Sequence, residues 1–255
     1  MASTMSTADK KVLGLFGKAI REYDLIAEGD RLAVAVSGGK DSLAMLYMLK
    51  ERLKWVPVRY EMLAVHLDMG FEGANPKAVE QACLELGVPF YFEQTDYGLK
   101  AHGPENKENP CFLCAWLRRK HLFQLSRRLH FSKLALGHNK DDIIETLLLN
   151  MFYSGELSTM VPKQALFEGD LTIIRPLALL EEDRIKWFAK RRGLPEIPNP
   201  CPSAQNSSRK EIKTFLSAFY ARNKKIRGNI YHALSHARPD YLPPSLSRKS
   251  FKTER

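Results

Sequence analysis

Six consecutive residues have the composition of a phosphate-binding turn: Ser37, Gly38, Gly39, Lys40, Asp41 and Ser42. The two glycines allow a tight turn and let a ligand approach the backbone closely. Amides at the start of a following helix, two hydroxyls and one ammonium group would together favour an anion. The spacing is not that of a Walker A loop. In isolation, a purely structural turn would also explain the two glycines.

A second group of candidate residues consists of cysteines. Cys111 and Cys114 form a C-x-x-C motif directly after an Asn-Pro pair, which is typical of a helix start. Cys201 lies 87 residues further along the chain, between two prolines. Cys83 instead falls on the apolar face of a predicted helix, so we expect it in the core.

Three thiolates suit a [4Fe–4S] cluster in which one iron keeps an open coordination position, because such a cluster normally takes four cysteines. A structural zinc site is an alternative, with His102, His121 or His130 as the fourth ligand. A redox pair, or a catalytic cysteine with a partner that forms a persulfide, is a further alternative. The spacing of the cysteines leaves these alternatives open.

Five apolar runs predict the strands that would position these residues, at 31–36, 61–67, 89–94, 133–137 and 171–176. Helical patterns separate or flank the runs, at 9–27, 43–50, 76–86, 141–152, 181–192 and 209–222. This alternation predicts an α/β fold with a doubly wound, mostly parallel sheet. Ligands of such sheets bind outside the carboxyl ends of the strands, which is where the glycine turn would lie.

The segment 37–42, placed after the first predicted strand, resembles the SGGxDS pyrophosphate loop of the PP-loop ATPases. Enzymes of that family cleave ATP between its α and β phosphates and adenylylate an oxygen atom of a second substrate. The resemblance therefore implies an adenine nucleotide alpha hydrolase-like fold, ATP as a ligand of the turn, and catalytic roles for Lys40 and Asp41.

The resemblance extends to the end of the predicted second strand, residues 64–68. In the family this segment holds the adenosine moiety, which implies nucleotide contacts for His66 and Asp68. A further matching segment, residues 174–177, contains Arg175, which would contact a substrate phosphate or form a salt bridge.

Residues 137–142 match the GHxxDD signature of the family, at the end of the fourth predicted strand. The match implies that Gly137 and His138 contact the nucleotide. Asp141 and Asp142 are candidate catalytic residues, because a carboxylate there can hold Mg²⁺ against the ATP phosphates or orient the substrate. The alternative is that both are acids at a helix N-terminus, where negative charge is favoured in any case.

The combined order of motifs, over roughly residues 10–220, resembles the tRNA 2-thiocytidine synthetases. Residues 111–119, Cys-Phe-Leu-Cys-Ala-Trp-Leu-Arg-Arg, carry this resemblance together with Cys201. In that family three cysteines hold a [4Fe–4S] cluster whose fourth iron carries the incoming sulfide, which implies Cys111, Cys114 and Cys201 as ligands. Asn139 and the context of residues 201–205 depart from the usual pattern of that family and leave the modified base open.

The activity implied by this resemblance is ATP-dependent thiolation of tRNA. The C2 oxygen of an anticodon-loop cytidine, at position 32, would be adenylylated, and sulfide would then attack C2 and expel AMP. The implied partners are tRNA, ATP and a sulfur donor, either a cysteine desulfurase or free sulfide, and a homodimer is compatible with the sequence. The alternatives are a related sulfurtransferase that modifies another base, a PP-loop enzyme with an amine nucleophile, and a non-catalytic RNA- or nucleotide-binding protein with a structural metal.

The charge distribution points to the same kind of partner. The chain has 39 Lys and Arg against 29 Asp and Glu, a net charge of +10, and residues 209–255 alone hold 12 basic and 3 acidic side chains. A basic block attached to a nearly neutral domain suggests a polyanion. We expect this tail, with Arg118, Arg119 and Lys120, to contact RNA phosphates. An idle, solvated tail is the alternative.

Composition excludes several other classes of protein. With 44% hydrophobic and 27% charged residues, 15 Gly and 14 Pro, the chain is neither collagenous, disordered nor a coiled coil. No run approaches the ~18 apolar residues of a membrane span, and the polar N-terminus lacks a secretory signal, so we expect a cytoplasmic protein. We expect an N-terminal helix in 1–30, the PP-loop domain in 31–200, and the third-cysteine loop, a helix and a weakly ordered basic tail in 201–255.

Overall fold

A computed structural model describes residues 5–203 and 207–243 of the chain. The strands of its single described sheet are β1 (Asp30–Ala35), β2 (Tyr60–Asp68), β3 (Phe90–Gln94), β4 (Lys133–Ala135), β5 (Lys163–Leu166) and β6 (Leu171–Ile174). They lie in the order β3-β2-β1-β4-β6-β5. All neighbours are parallel except β5, which runs antiparallel to β6 at the sheet edge. The predicted fold class is confirmed.

Helices pack on both faces of this sheet. The α-helices of the described residues are α1 (Thr7–Glu22), α2 (Lys40–Arg52), α3 (Pro76–Glu85), α4 (Tyr97–His102), α5 (Pro110–Arg128), α6 (Lys140–Leu149), α7 (Glu182–Arg191), α8 (Ser208–Arg222) and α9 (Lys225–Ala233). A π-helical turn, Asn150–Ser154, continues α6. No helix in the described ranges is long and apolar enough to cross a membrane.

The sheet separates two apolar layers, and β1 contributes to both. Leu32 and Val34 pack with side chains of α1, α2 and α7, whereas Ala33 and Ala35 pack with side chains of α5. Because successive strand residues point to opposite faces, a strand covered on both sides must be apolar throughout, which explains the unbroken run. Cys83 is fully buried in the first layer, so its predicted place in the core is confirmed.

Two short elements give no signal in the sequence. The residues of β5 are exposed except for half-buried Leu166, so the strand has no apolar run. Helix α4 has only six residues. The predicted helix 9–27 is too long at its C-terminal end, because Asp24 turns the chain with a φ of +48° and the helix ends at Glu22.

The C-terminal segment is more ordered than the sequence predicts. Helix α9 packs on a small apolar cluster of α6 and α8 through Ile230 and Tyr231. The hydroxyl of Tyr231 also lies 3.3 Å from the hydroxyl of Tyr23. The prediction of a weakly ordered tail is therefore wrong for residues 225–233, whose apolar side chains hold them on the domain. The rest of that prediction, residues 244–255, and the motif residues 204 and 205 lie outside the described residues.

Candidate active site

The glycine turn lies between the carboxyl end of β1 and the first turn of α2. Gly38 has a φ of +85°, and a Cβ atom there would lie 3.1 Å from the Ile197 side chain and 3.2 Å from the Val79 side chain. A larger residue at this position is therefore excluded both by conformation and by space. No side chain caps the first turn of α2. Its amides and the positive end of its dipole are consequently available to an anion.

Lys40 and Asp41 form an ion pair at the start of α2. The Lys40 Nζ lies 3.1 Å from Asp41 Oδ2 and 2.9 Å from Glu182 Oε1. Burial opposes the charge of Lys40, but the two carboxylates outweigh it and raise the pKa of this lysine above its ordinary value. Burial raises the pKa of Asp41 to about 6 despite the lysine. The second oxygen, Asp41 Oδ1, is buried without a hydrogen-bond partner among the described residues.

The segment 137–142 lies directly against this turn. A Cβ atom on Gly137 would be 3.2 Å from the backbone nitrogen of Ser42, so a larger residue here would have to push the two loops apart by a few tenths of an ångström. His138 has a buried Nδ1 atom with no partner in the described part of the chain. Burial and the charges of surrounding arginines, with Arg175 the largest contributor, lower the pKa of His138 to about 3. The imidazole is therefore neutral at physiological pH.

Asp141 and Asp142 make structural contacts at the start of α6. Asn139 caps the helix by accepting hydrogen bonds from both amides, at 2.8 and 3.1 Å, and Asp142 accepts from the amide of Asn139 in return. Asp141 accepts from the amide of Glu182 at 2.8 Å. The reading of these acids as helix N-terminal residues is thus supported by contacts, and burial raises the pKa of both.

Basic side chains of the C-terminal helices reach these carboxylates. Arg227 Nε lies 3.0 Å from Asp141 Oδ1, and Arg209 Nη1 lies 3.4 Å from Asp142 Oδ1. Lys213 pairs with Glu182. These three cations of the basic block are thus paired with carboxylates of the chain itself, and their contact with RNA stays a prediction.

Two carboxylates of this network, Glu145 and Glu182, were not predicted from the sequence. Glu145 is 4% exposed and lies 3.1 Å from Arg209 Nη1; burial and the charge of Asp142 raise its pKa to about 7. Glu182 links Lys40 to Lys213. The available signals were the i, i+4 spacing of Glu145 after Asp141 and the acidic run at the start of the predicted helix 181–192, and neither identifies a partner.

His66 and Asp68 lie at the carboxyl half of β2, as predicted. His66 is buried, and its Nδ1 lies 2.8 Å from the carbonyl oxygen of Val36. Its ring lies nearly parallel to those of Phe90 and Phe92, with centroid distances of 6.4 and 6.0 Å, and burial lowers its pKa. Asp68 accepts a hydrogen bond from the amide of Gly70 at 2.8 Å. Both side chains thus help to shape the loops at this edge of the sheet.

The cysteines form the other wall of the site. Cys111 lies in the first turn of α5, capped by Asn109, and half-buried Cys114 follows one turn later. Burial raises the pKa of both thiols, and the charge of Cys201 raises both further. The loop after α7, which carries Cys201, is therefore close to the start of α5. A hydrogen bond of 2.8 Å between His102 Nε2 and Ser203 Oγ holds this loop. We call Cys111, Cys114 and Cys201 the thiol triad.

The donor chemistry of the thiol triad fits iron better than a closed zinc site. In the described ranges, no three His, Cys, Asp or Glu side chains are grouped closely enough for one metal ion. Each cysteine of a [4Fe–4S] cluster binds a different iron, which requires wider spacing. Both ring nitrogens of His102 have other partners, and so have both of His121. Neither histidine is therefore free to complete a zinc site without breaking these contacts, and His130 follows the C-terminal end of α5, whereas Cys111 and Cys114 lie at its start.

Arg118 connects the two walls electrostatically. This half-buried arginine follows Cys114 by one turn of α5, and its charge lowers the pKa of that thiol. The same charge contributes to the lowered pKa of His138 and of His66. The phosphate turn and the 137–142 segment follow strands β1 and β4 and therefore lie at the carboxyl edge of the sheet. The loop that carries Cys201 reaches the same edge, because the amide of Ile197 donates to the carbonyl oxygen of Gly38 at 3.1 Å.

Comparison with known proteins identifies the family of this chain. A family model described as a PP-loop domain matches residues 6–218. The tRNA-cytidine(32) 2-sulfurtransferase of Citrifermentans bemidjiense is 38% identical over 253 residues, covering 98% of this chain and 99% of that one. The enzyme of the same name from Syntrophotalea carbinolica is 40% identical, covering 96% and 95%.

A solved structure shares the fold of this chain. The U34-tRNA thiolase NcsA from Methanococcus maripaludis, with its [4Fe-4S] cluster, superimposes with a TM-score of 0.75 and 25% identity, covering 90% of this chain and 78% of that one. The fold and the site thus define a PP-loop enzyme. Within that class, the chain belongs to the tRNA-cytidine(32) 2-sulfurtransferase family, which confirms the resemblance seen in the sequence and the assignment as a transferase.

Proposed function

We propose that this protein replaces the C2 oxygen of an anticodon-loop cytidine, at position 32 of tRNA, with sulfur, in a reaction that consumes ATP and needs a [4Fe–4S] cluster. The observation that carries the proposal is the shared site: an uncapped helix N-terminus lies at the same edge of the sheet as three thiols. The names of its relatives and of the structural neighbour support the substrate and the cluster.

ATP would bind with its phosphates against the first turn of α2. The amides of the turn, the hydroxyls of Ser37 and Ser42 and the Lys40 ammonium would hold the phosphates. The C2 oxygen of the base would attack the α-phosphorus, forming an oxygen–phosphorus bond as pyrophosphate leaves. Sulfide would then add at C2, and the carbon–oxygen bond would break to release AMP with the former base oxygen. Lys40 stabilises the phosphate charge that develops during the first step.

Mg²⁺ would bind at Asp41 in this proposal. A buried carboxylate oxygen without a partner fits a cation that prefers oxygen ligands, and Asp41 Oδ1 is such an atom. Asp141 and Asp142 are already engaged by Arg227 and Arg209, so either would have to exchange an ion pair for the metal. Gly137 and neutral His138 would contact the nucleotide, and His66 and Asp68 would support the loops that hold its adenosine.

The thiol triad would hold the cluster, which when bound supplies an open iron site for sulfide. Arg118, whose charge lowers the pKa of both Cys114 and His138, would then offset the negative charge of the thiolates. The proposal further includes a cytoplasmic location and a sulfur donor, which is either a cysteine desulfurase or free sulfide. It also includes a homodimer, which sedimentation of the purified protein would test.

The test is thiolation of tRNA transcripts by protein reconstituted with iron and sulfide without oxygen. Nucleoside digestion and mass spectrometry should find one 2-thiocytidine per tRNA, at position 32, and one AMP for each. A Cys83→Ala variant is the control for the cysteines of the thiol triad. It should still thiolate tRNA, because Cys83 lies in the core. A 2-thiouridine product would instead establish a related sulfurtransferase that modifies another base. That alternative stays open because Asn139 departs from the usual pattern of the 2-thiocytidine family. AMP formation without thiolation of any base would contradict the proposal.

A further inference from the structure

A groove of about 690 Å³ runs along one face of α5. One wall is the face of α5 that carries Trp116, Lys120, Phe123 and Arg127, spaced by three to four residues. The other wall is the sheet edge, β5 and β6, with Phe167 at its rim. The volume is within the range of small-molecule sites and large enough for a nucleotide. The groove begins within one turn of Cys114.

Two large aromatic side chains lie open in this groove. Trp116 is 44% exposed and Phe167 is 48% exposed. The ammonium of Lys120 lies 5.0 Å from the Trp116 ring centre, and the guanidinium of Arg127 lies 5.4 Å from the Phe167 ring centre. Exposed rings beside cations are the elements with which proteins stack the bases of single-stranded nucleic acids.

The charge of the groove is complementary to RNA. Its lining includes four cationic side chains and no carboxylate, and one of the four, Arg127, is paired at 3.3 Å with Asp170 outside the lining. Arg175 is only 5% exposed, and its Nε atom has no hydrogen-bond partner in the described part of the chain. Burial and the nearby charge of Arg119 lower the pKa of Arg175 to about 10. A buried guanidinium with an unused donor, next to a second guanidinium, is stabilised when an anion binds.

We propose that this groove binds the single-stranded part of the RNA substrate, with one base stacked on Trp116 and an adjacent phosphate held by Arg119 and Arg175. The inference rests on the proposed function, because it assumes an RNA substrate. Arg175 also lies near His138, so the phosphate contact joins the groove to the active site. A nucleotide next to the modified one would thus be fixed while the target base is turned into the site.

The indole of Trp116 allows a direct test. The chain has three tryptophans, so a Trp55→Phe, Trp187→Phe variant reports on Trp116 alone. Titration with an anticodon stem-loop RNA should quench its fluorescence, whereas a fully paired stem of equal length should quench it much less. A Trp116→Ala variant should bind the stem-loop about tenfold more weakly, which corresponds to about 1.4 kcal/mol. Trp116→Phe should retain most of the affinity, because its ring still stacks.

The matched control is Trp55→Ala, since Trp55 is 69% exposed and lies outside the groove. It should bind the stem-loop like the wild type. Equal affinity of the Trp116→Ala and wild-type proteins, or equal quenching by the paired stem, would overturn the inference even if the wild type thiolates tRNA. If the wild type thiolates no base but binds the stem-loop more tightly than Trp116→Ala does, the proposed function fails while the groove assignment stands. If it binds no RNA, both fail.

Discussion

Replacing Glu145 with glutamine should stabilise the protein at neutral pH, because this buried carboxyl is raised to a pKa of about 7 from its ordinary 4.5. The folded state therefore holds a proton between pH 4.5 and 7 that the unfolded chain releases. Stability from this group is present below pH 4.5 and is lost as the pH rises through 7. A shift of 2.5 pKa units corresponds to about 3 kcal/mol.

The assay is urea unfolding of wild type and Glu145→Gln at pH 4.5, 6 and 8. The two proteins should be about equally stable at pH 4.5, and the variant should be more stable by up to about 3 kcal/mol at pH 8. Glu72→Gln is the control, since Glu72 is exposed and its replacement should leave the pH dependence unchanged. Parallel curves for the wild type and Glu145→Gln across this pH range would refute the reasoning.

Three further predictions follow from the site and the C-terminal helices. Alanine at any member of the thiol triad should abolish bound iron, measured by iron content and visible absorption, whereas Cys83→Ala should retain it. If a triad variant retains its iron, the replaced cysteine is not a ligand. Asp41→Ala should abolish AMP formation and leave the iron content unchanged, so loss of iron would reverse this assignment. Truncation after Pro243 should flatten the salt dependence of tRNA binding in filter assays. Truncation after Gly228 should also lower stability, because it removes the packing of α9. Equal salt slopes for the Pro243 truncation and the full chain would show an idle tail.

Local chemistry made the phosphate turn and the segment 137–142 predictable. Gly38 has a φ that favours glycine, and Gly137 closely approaches the backbone of Ser42, so both residue types carry information about the backbone. The unbroken apolar run of β1 likewise follows from burial on both faces. In contrast, β5 is an exposed edge strand with a polar sequence, and no pattern of burial marks it.

Charge pairing over long distances in the chain could not be predicted. The net charge of the segment after position 208 does not show which of its basic side chains are paired within the protein. Three of them form ion pairs with carboxylates of α6 and α7, namely Arg209, Lys213 and Arg227. The partner of Arg227 lies 86 residues away, at Asp141. Such pairs depend on how α8 and α9 pack, and that packing rests on few side chains, Ile212 and Leu216 among them.

The most direct test of the central claim follows the oxygen atom that the base loses. A tRNA carrying ¹⁸O at C2 of cytidine 32 is thiolated by the reconstituted protein, and the released AMP is analysed by mass spectrometry. Adenylylation of the base oxygen predicts one ¹⁸O atom in the AMP phosphate for every 2-thiocytidine formed. AMP without ¹⁸O, released together with 2-thiocytidine, would contradict the account.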